Sequence, residues 1–340
     1  MTNRGRRWAK LLAGLLVTGV CSWLVIQQVD LPQIWFVLSS ADPSWVFLGL
    51  SFLSTAYLLR IVRWWLMLRT IAPTLPLTAC AGPFLSGIAL NNVLPFRAGD
   101  IMRVVGFCRQ LTLPASSVFG SLVLERLLDL TAILIVFFVA LPRATPDGFP
   151  ADILAAAGWL AVACVMLVVL IIAMPEALAR LAENIAAVVH RWTWGRIGHV
   201  AHWMVRFFSS LALMRTRQQI IPLVLLSLGA WCLEGALFAA VAKGLQVGQA
   251  GLAPWFALSM GTLGTLLPST PGYLGTFDYL MMVGFLAYGF SKSVAATCAL
   301  LIHVVLWIPQ TTVGMAWFLV IKLRRAAPAM DSHSSVRASA

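Results

Sequence analysis

An all-α polytopic membrane protein is the fold class this sequence predicts, and three observations lead there. Hydrophobic residues make up 60% of the 340, and charged residues only 11%. Several apolar runs approach the roughly 20 residues that cross a bilayer. Two of these runs are interrupted by polar, proline-centred breaks, residues 90–100 and 267–278. Non-helical backbone at membrane depth persists only when buried in protein or lining a wet cavity. Interrupted segments at matching places in two halves of a chain point to a substrate site.

Taken in order, the first span covers residues 10–27. Arg4, Arg6, Arg7 and Lys10 precede it and place its start in the cytoplasm. Gln27-Gln28-Val29 follows, which is no signal-peptide cleavage site, so a retained span is expected. Residues 45–66 return to Arg60, Arg63 and Arg69 at the inner face. The apolar run 77–94 is followed by Arg97, Arg103 and Arg109. A full crossing would leave three arginines outside, so a hairpin dipping in from the cytoplasmic side is expected. Residues 117–141 lead outward, 142–152 form an outer loop, and 153–174 return. Residues 175–219 mix arginines with Trp192, Trp194, Trp203 and Phe207, the pattern of an amphipathic cytoplasmic connector on the membrane surface. Residues 220–242 lead out again. Residues 252–289 form a second hairpin, entered from outside. The last span, 294–321, ends at the basic Lys322, Arg324 and Arg325. Residues 326–340 are small and polar and are expected to be a disordered cytoplasmic tail.

The expected architecture is about six full spans plus two oppositely oriented re-entrant hairpins. They form one transmembrane domain, residues 1–325, with both termini cytoplasmic. Ser86, Leu90, Leu94 and Pro95 are echoed by Ser259, Leu263, Leu267 and Pro268. That echo is either chance or the trace of an inverted repeat.

Composition also excludes functions. The net charge of +12 comes from basic residues scattered at span ends, not from a basic face, so no nucleic-acid partner is expected. The six cysteines are widely spaced and sit mostly in apolar runs, which suits packing. No phosphate loop is present, so ATP hydrolysis is not expected. His199 and His202 lack further nearby ligands, so neither metal nor cofactor is expected.

The first break carries Asn91, Asn92, Arg97, Asp100 and Arg103, with Pro95 and Gly99 as helix breakers. Arginines at such a place suit a phosphate, and Asp100 and Arg103 would pair at i,i+3 on a helix. Head-group binding and an internal ion-pair network that pins the hairpin are both open here. Glu125 and Asp129 share a helix face, where like charges need a cation between them. Arg126 would pair with Asp129, and Arg60, Arg63, Arg97 and Arg103 are partners from other segments. Glu234 sits in mid-span, where an ionisable group is expensive. His303 suits either a proton relay or a helix-to-helix hydrogen bond. In the second break, Ser269, Thr270 and Tyr273 supply hydroxyls. Pro268, Pro271, Gly272 and Gly275 supply the bend, and Asp278 the single charge.

Four stretches resemble the lysylphosphatidylglycerol synthetase transmembrane-region family. They are Arg60-Ile61-Val62-Arg63-Trp64, the run from Asn91 through Pro95, Arg97, Gly99 and Asp100 to Arg103, Glu125-Arg126-Leu127-Leu128-Asp129, and the run from Leu267 to Gly275. The resemblance covers about residues 11–322. Tyr273 and Asp278 depart from it, standing where a glycine and a glutamate are frequent. The family includes the flippase half of bacterial aminoacyl-phosphatidylglycerol synthetases and stand-alone inner-membrane proteins. The resemblance implies ATP-independent translocation of an anionic phospholipid or polyprenyl-linked lipid across a bacterial inner membrane. Arg97, Arg103, Arg60 and Arg63 would then face phosphate, and Glu125, Asp129 and Glu234 would balance charge or couple protons. Membrane lipids, and a lipid-biosynthetic enzyme, are the expected partners. A membrane-embedded glycosyl- or acyl-transferase with Asp100 or Glu125 as base is the alternative, and an accessory partner in envelope lipid synthesis a third.

Overall fold

The computed structural model describes residues 42–94, 97–143, 151–173, 217–246, 251–266 and 270–326, together with 19–25 and a few isolated positions. Among the described residues the secondary structure is helical, without strands. The expected outer loop beyond Arg143, most of the 175–219 connector, the tail, Pro95, Pro268 and Ser269 lie outside them. Within the connector, Trp203 stacks on Phe207 at 5.9 Å, and both rings meet Phe119.

Helix α1 (Pro43–Arg69) starts where the Asp42 carboxylate accepts the Ser44 N–H at 2.9 Å. Proline at the first helical position suits such a start, since its missing N–H would be unpaired anyway. Helix α2 (Leu77–Val93) follows a tight turn. A short helix α3 (Ala98–Ile101) then widens into a π-helical turn, Met102–Gly106. Helix α4 is Ala115–Ala140, α5 Ala151–Ala173 and α6 Arg217–Gly244. The shorter α7 (Ala253–Gly264) and α8 (Thr276–Leu286) precede the long α9 (Lys292–Ala326).

Helices α1 and α6 pack along each other, as do α2 with α9 and α7 with α8. Helix α4 touches α6 and α7, and α8 leans on α9. One apolar core gathers Trp231, Phe238, Phe285 and Ile302, and a second gathers Trp64, Phe84 and Leu111. The outer surface is also apolar: Phe47, Leu58, Val139, Trp159 and Leu225 are exposed. Meanwhile Arg60, Arg63, Arg103, Glu125, Asp129 and Glu234 are buried. Charge inside and hydrocarbon outside is the distribution a lipid solvent imposes. By length and composition, Pro43–Arg69, Ile220–Gly244 and Lys292–Leu323 are able to cross a bilayer.

The first break is narrower than its sequence suggests. Asn91 and Asn92 belong to the last turn of α2, and Gly99 and Asp100 to the first turn of α3. Gly99 was expected to break the helix, but it is helical. Its missing Cβ lets α3 lie against α2, because a methyl there would stand 1.8 Å from the Gly87 carbonyl oxygen. The reversal instead uses Arg97, held left-handed at φ 52°. In the second break Gly272 (φ 72°), Tyr273 (φ 59°) and Gly275 (φ 82°) all have positive φ, which costs the two glycines little.

Candidate functional site

Between the two breaks lies a cavity of about 310 Å³. Helices α1, α4, α6 and α9 line it with polar residues at helical spacing. Helix α1 contributes Tyr57 and Arg60; α4 contributes Glu125, Arg126 and Asp129; α6 contributes Trp231 and Glu234; α9 contributes His303, Trp307 and Gln310. Asn91, Asn92, Arg97 and Asp100 come from the first break, and Gly272 and Tyr273 from the second.

Four arginines in and beneath the cavity wall are neutralised one by one. Arg60 stands 2.5 Å from Glu234. That contact is an ion pair by distance, but its angle leaves the Glu234 Oε2 without a hydrogen bond. Arg60 is also held over the rings of Trp231 and Tyr57, at 4.6 and 5.3 Å. Arg63 donates to both oxygens of Asp129, at 2.6 and 3.1 Å, and to Ser227 at 2.6 Å. Asp129 also accepts the Trp231 indole N–H at 3.1 Å. Arg103 is bidentate to Glu125, at 3.0 and 2.8 Å, between the rings of Trp64 and Phe84. Arg126 donates to Asp100 at 3.0 Å.

The expected Asp100–Arg103 pair is therefore not formed. Two aromatic rings and a forked carboxylate hold Arg103 toward α4, and Asp100 turns to Arg126 and Asn91. The Arg126–Asp129 pair exists at 3.9 Å, well beyond the 3.0 Å to Asp100. Asn91 closes a ring with Asp100, donating from Nδ2 at 3.0 Å and accepting the Asp100 backbone N–H at 3.1 Å. Asn92 donates to Thr311 of α9 at 3.0 Å.

Arg97 differs from the other four. Its Nε donates to the Tyr273 hydroxyl at 3.1 Å and an Nη to the Thr265 carbonyl at 3.3 Å. Among the described residues, no carboxylate lies within ion-pairing distance of it. It joins the first break to the second, which the sequence alone did not place in contact. A further donor, the Trp307 indole N–H, is buried without a partner among the described residues. A methyl on Gly272 would stand 2.8 Å from it. Across the cavity, the His303 Nδ1 lies 2.5 Å from the Asp278 Oδ1, and the Asp278 Oδ2 accepts the Gly275 N–H at 2.8 Å.

Of the residues singled out from sequence, Asn91, Asn92, Arg97, Asp100, Arg60, Glu125, Arg126, Asp129, Glu234, Gly272 and Tyr273 line the cavity. Arg63 and Arg103 are buried behind its wall, Asp278 is reached through His303, and Thr270 precedes the Pro271–Tyr273 turn. Sequence reasoning missed Tyr57, Ser227, Trp231, Trp307 and Thr311. The signal was present: Ser227, Trp231 and Glu234, like His303, Trp307 and Thr311, recur every three or four residues on helices that are otherwise apolar.

Apolar outer faces around a buried, paired charge network define a polytopic helical membrane protein. The family model described as the lysylphosphatidylglycerol synthase TM region matches residues 11–314, and the chain belongs to that family. It is also 26% identical, over 88% of its length, to a protein named glycosyltransferase AglD from Haloferax volcanii. The chain spans only 52% of that relative's length. The family match and the apolar, bilayer-length helices mark it as a membrane protein.

Proposed function

We propose that this protein is an ATP-independent, flippase-like translocator of an anionic phospholipid or a polyprenyl-linked lipid. Its head group occupies the cavity between the two breaks, and its partners are membrane lipids and an enzyme that makes them. The proposed setting is a bacterial inner membrane, with both termini cytoplasmic and about six full spans. The arms α2/α3 and α7/α8 re-enter from opposite faces. Their lengths favour this: the 12 residues of α7 extend only about 18 Å, against the roughly 30 Å of a hydrocarbon core.

The observation that carries the reading is Arg97, which among the described residues is a guanidinium without a carboxylate, on the wall of a cavity where every other arginine has one. A phosphate supplies the missing charge and fits the fork of donors. The apolar lining by Leu130, Ile133, Leu263 and Leu266 suits the start of the chains. The test is movement of labelled anionic lipid between leaflets of liposomes holding the purified protein. Arg97→Ala is expected to abolish it. Transport equal to wild type would show that the head group lies elsewhere.

The name of the Haloferax volcanii relative favours a second reading, a transferase acting on a lipid carrier. The ion pairing of Asp100 and Glu125 counts against either as a free base. Product formed from lipid-linked sugar donors, with no lipid movement, would favour this reading instead.

A further inference from the structure

Among the described residues, the polar cluster contains five arginines, five carboxylates and one histidine. Arg60 with Glu234, Arg63 with Asp129, Arg103 with Glu125 and Arg126 with Asp100 cancel in charge. Three groups remain: Arg97, Asp278 and His303. Asp278 has His303 as its ion-pair partner, and no arginine within 4 Å among the described residues. When the imidazole is neutral, Asp278 carries one negative charge and offsets Arg97, so the cluster sums to zero. When the imidazole is protonated, the Asp278–His303 pair is neutral and the cluster has one positive charge, at Arg97.

An uncompensated charge is costly in a low-dielectric wall. The cluster therefore has two electroneutral states. In one it holds neither anion nor extra proton; in the other it holds one of each. We infer that the site binds a single-charged phosphodiester head group together with one proton, the anion at Arg97 and the proton on the His303 imidazole. This rests on the head-group reading above and names its charge class and its coupling. A phosphomonoester, carrying about −1.5 to −2 near neutral pH, overfills the same count.

The geometry routes the proton. His303 Nδ1 faces Asp278 and carries the hydrogen of the neutral ring, so the added proton goes to Nε2. The other ionisable groups around the cavity are Tyr57 and Arg60 of α1, the Glu125, Arg126 and Asp129 set of α4, Glu234 of α6, and Arg97, Asp100 and Tyr273 of the breaks. Helix α2 presents the neutral amides Asn91 and Asn92. Apart from Tyr57, Tyr273 and Arg97, all are ions already paired. The two occupied positions also share one segment: Arg97 holds Tyr273, and Asp278 holds Gly275 two residues on. Anion and proton thus act on opposite ends of the same short segment, Tyr273 to Gly275. A proton gradient then drives the head group in the direction protons flow.

The test is calorimetric titration of the purified protein with a short-chain phosphatidylglycerol, at about pH 8, in two buffers of different ionisation enthalpy. A short-chain polyprenyl phosphohexose runs in parallel, and the tighter binder identifies the lipid source. Diacylglycerol is the uncharged control. Close to one proton taken up per lipid is expected, with Kd rising up to about tenfold per pH unit on the alkaline side. Asp278→Asn keeps the pair uncharged without the proton, so it should bind with no uptake and a flat pH profile. Arg97→Gln should lose binding to either lipid. Binding that depends on Arg97 but takes up no proton in the wild type overturns the coupling and leaves the head-group reading intact. Uptake that survives in Asp278→Asn overturns it too. No anion binding above the diacylglycerol control, or binding unchanged in Arg97→Gln, removes the head-group reading itself. The wild-type proton count decides the coupling even where a variant does not fold.

Discussion

Removing the Asp129 carboxylate tests whether the paired charges hold the helices together. The Arg63 side chain is fully buried, and Asp129 receives two of its hydrogen bonds. In Asp129→Ala, Arg63 keeps the Ser227 hydroxyl, while its Nε already lacks a partner among the described residues. A buried guanidinium stripped of its counter-ion costs about 3–5 kcal/mol. The loss falls on the α1–α4–α6 junction, because Trp231 of α6 also donates to this carboxylate. Replacing both ions, as in Arg63→Met with Asp129→Ala, removes the uncompensated charge. The double variant should therefore be more stable than the two single losses add up to, by about 2–3 kcal/mol. Reversible unfolding in mixed micelles, for the wild type, both single variants and the double, measures this coupling. A coupling under about 0.5 kcal/mol would refute the reasoning, since it would mean that Arg63 reaches water or another anion when Asp129 is gone.

Two further outcomes separate architecture from function. Gly99→Ala puts a methyl 1.8 Å from the Gly87 carbonyl oxygen and 2.8 Å from the Asn91 Oδ1. Backbone must then move, and the Asn91–Asp100 ring opens. A loss of about 1–3 kcal/mol from overpacking is expected in the same unfolding measurement. Arg97→Gln, in contrast, removes a partly buried cation bonded only to a hydroxyl and a carbonyl, and should change stability by less than about 1 kcal/mol. A loss as large as that of Asp129→Ala would make Arg97 a structural residue.

How much of this was legible in sequence differs from residue to residue. Hydropathy and breakers placed the long helices within a few residues, because a run such as that of α6 has little alternative in lipid. The partners Arg63 with Asp129 and Arg103 with Glu125 were among those anticipated, since buried carboxylates demand cations. The Asp100–Arg103 pair was not formed, because local spacing competes with tertiary contacts. Trp64 and Phe84 grip Arg103 from helices distant in sequence, and no local pattern reports that grip. Gly99 misled for a related reason. Glycine serves both as a breaker and as a point of close approach, and only the position of Gly87 shows which. The meeting of the two breaks through Arg97 and Tyr273 was out of reach, as the residues are 176 apart in sequence.

That meeting explains why the unpaired charge sits where it does. Arg60, Arg63, Arg103 and Arg126 project from helical or π-helical backbone, and their carboxylates sit on neighbouring helices or turns. Moving any of them means separating packed elements, so these pairs are stiff and their charge is spent on cohesion. Arg97 stands on left-handed backbone between α2 and α3 and reaches a second left-handed turn before α8. Neither turn belongs to a helix interior, so each can shift without breaking a ladder of helical hydrogen bonds. A translocator needs its ligand-binding charge on backbone that moves and its structural charges on backbone that does not. If that division is correct, cross-linking residue 97 to residue 273 should arrest lipid movement, whereas cross-linking across α1 and α6 should leave it running. Arrest by both would place the motion between the helices instead.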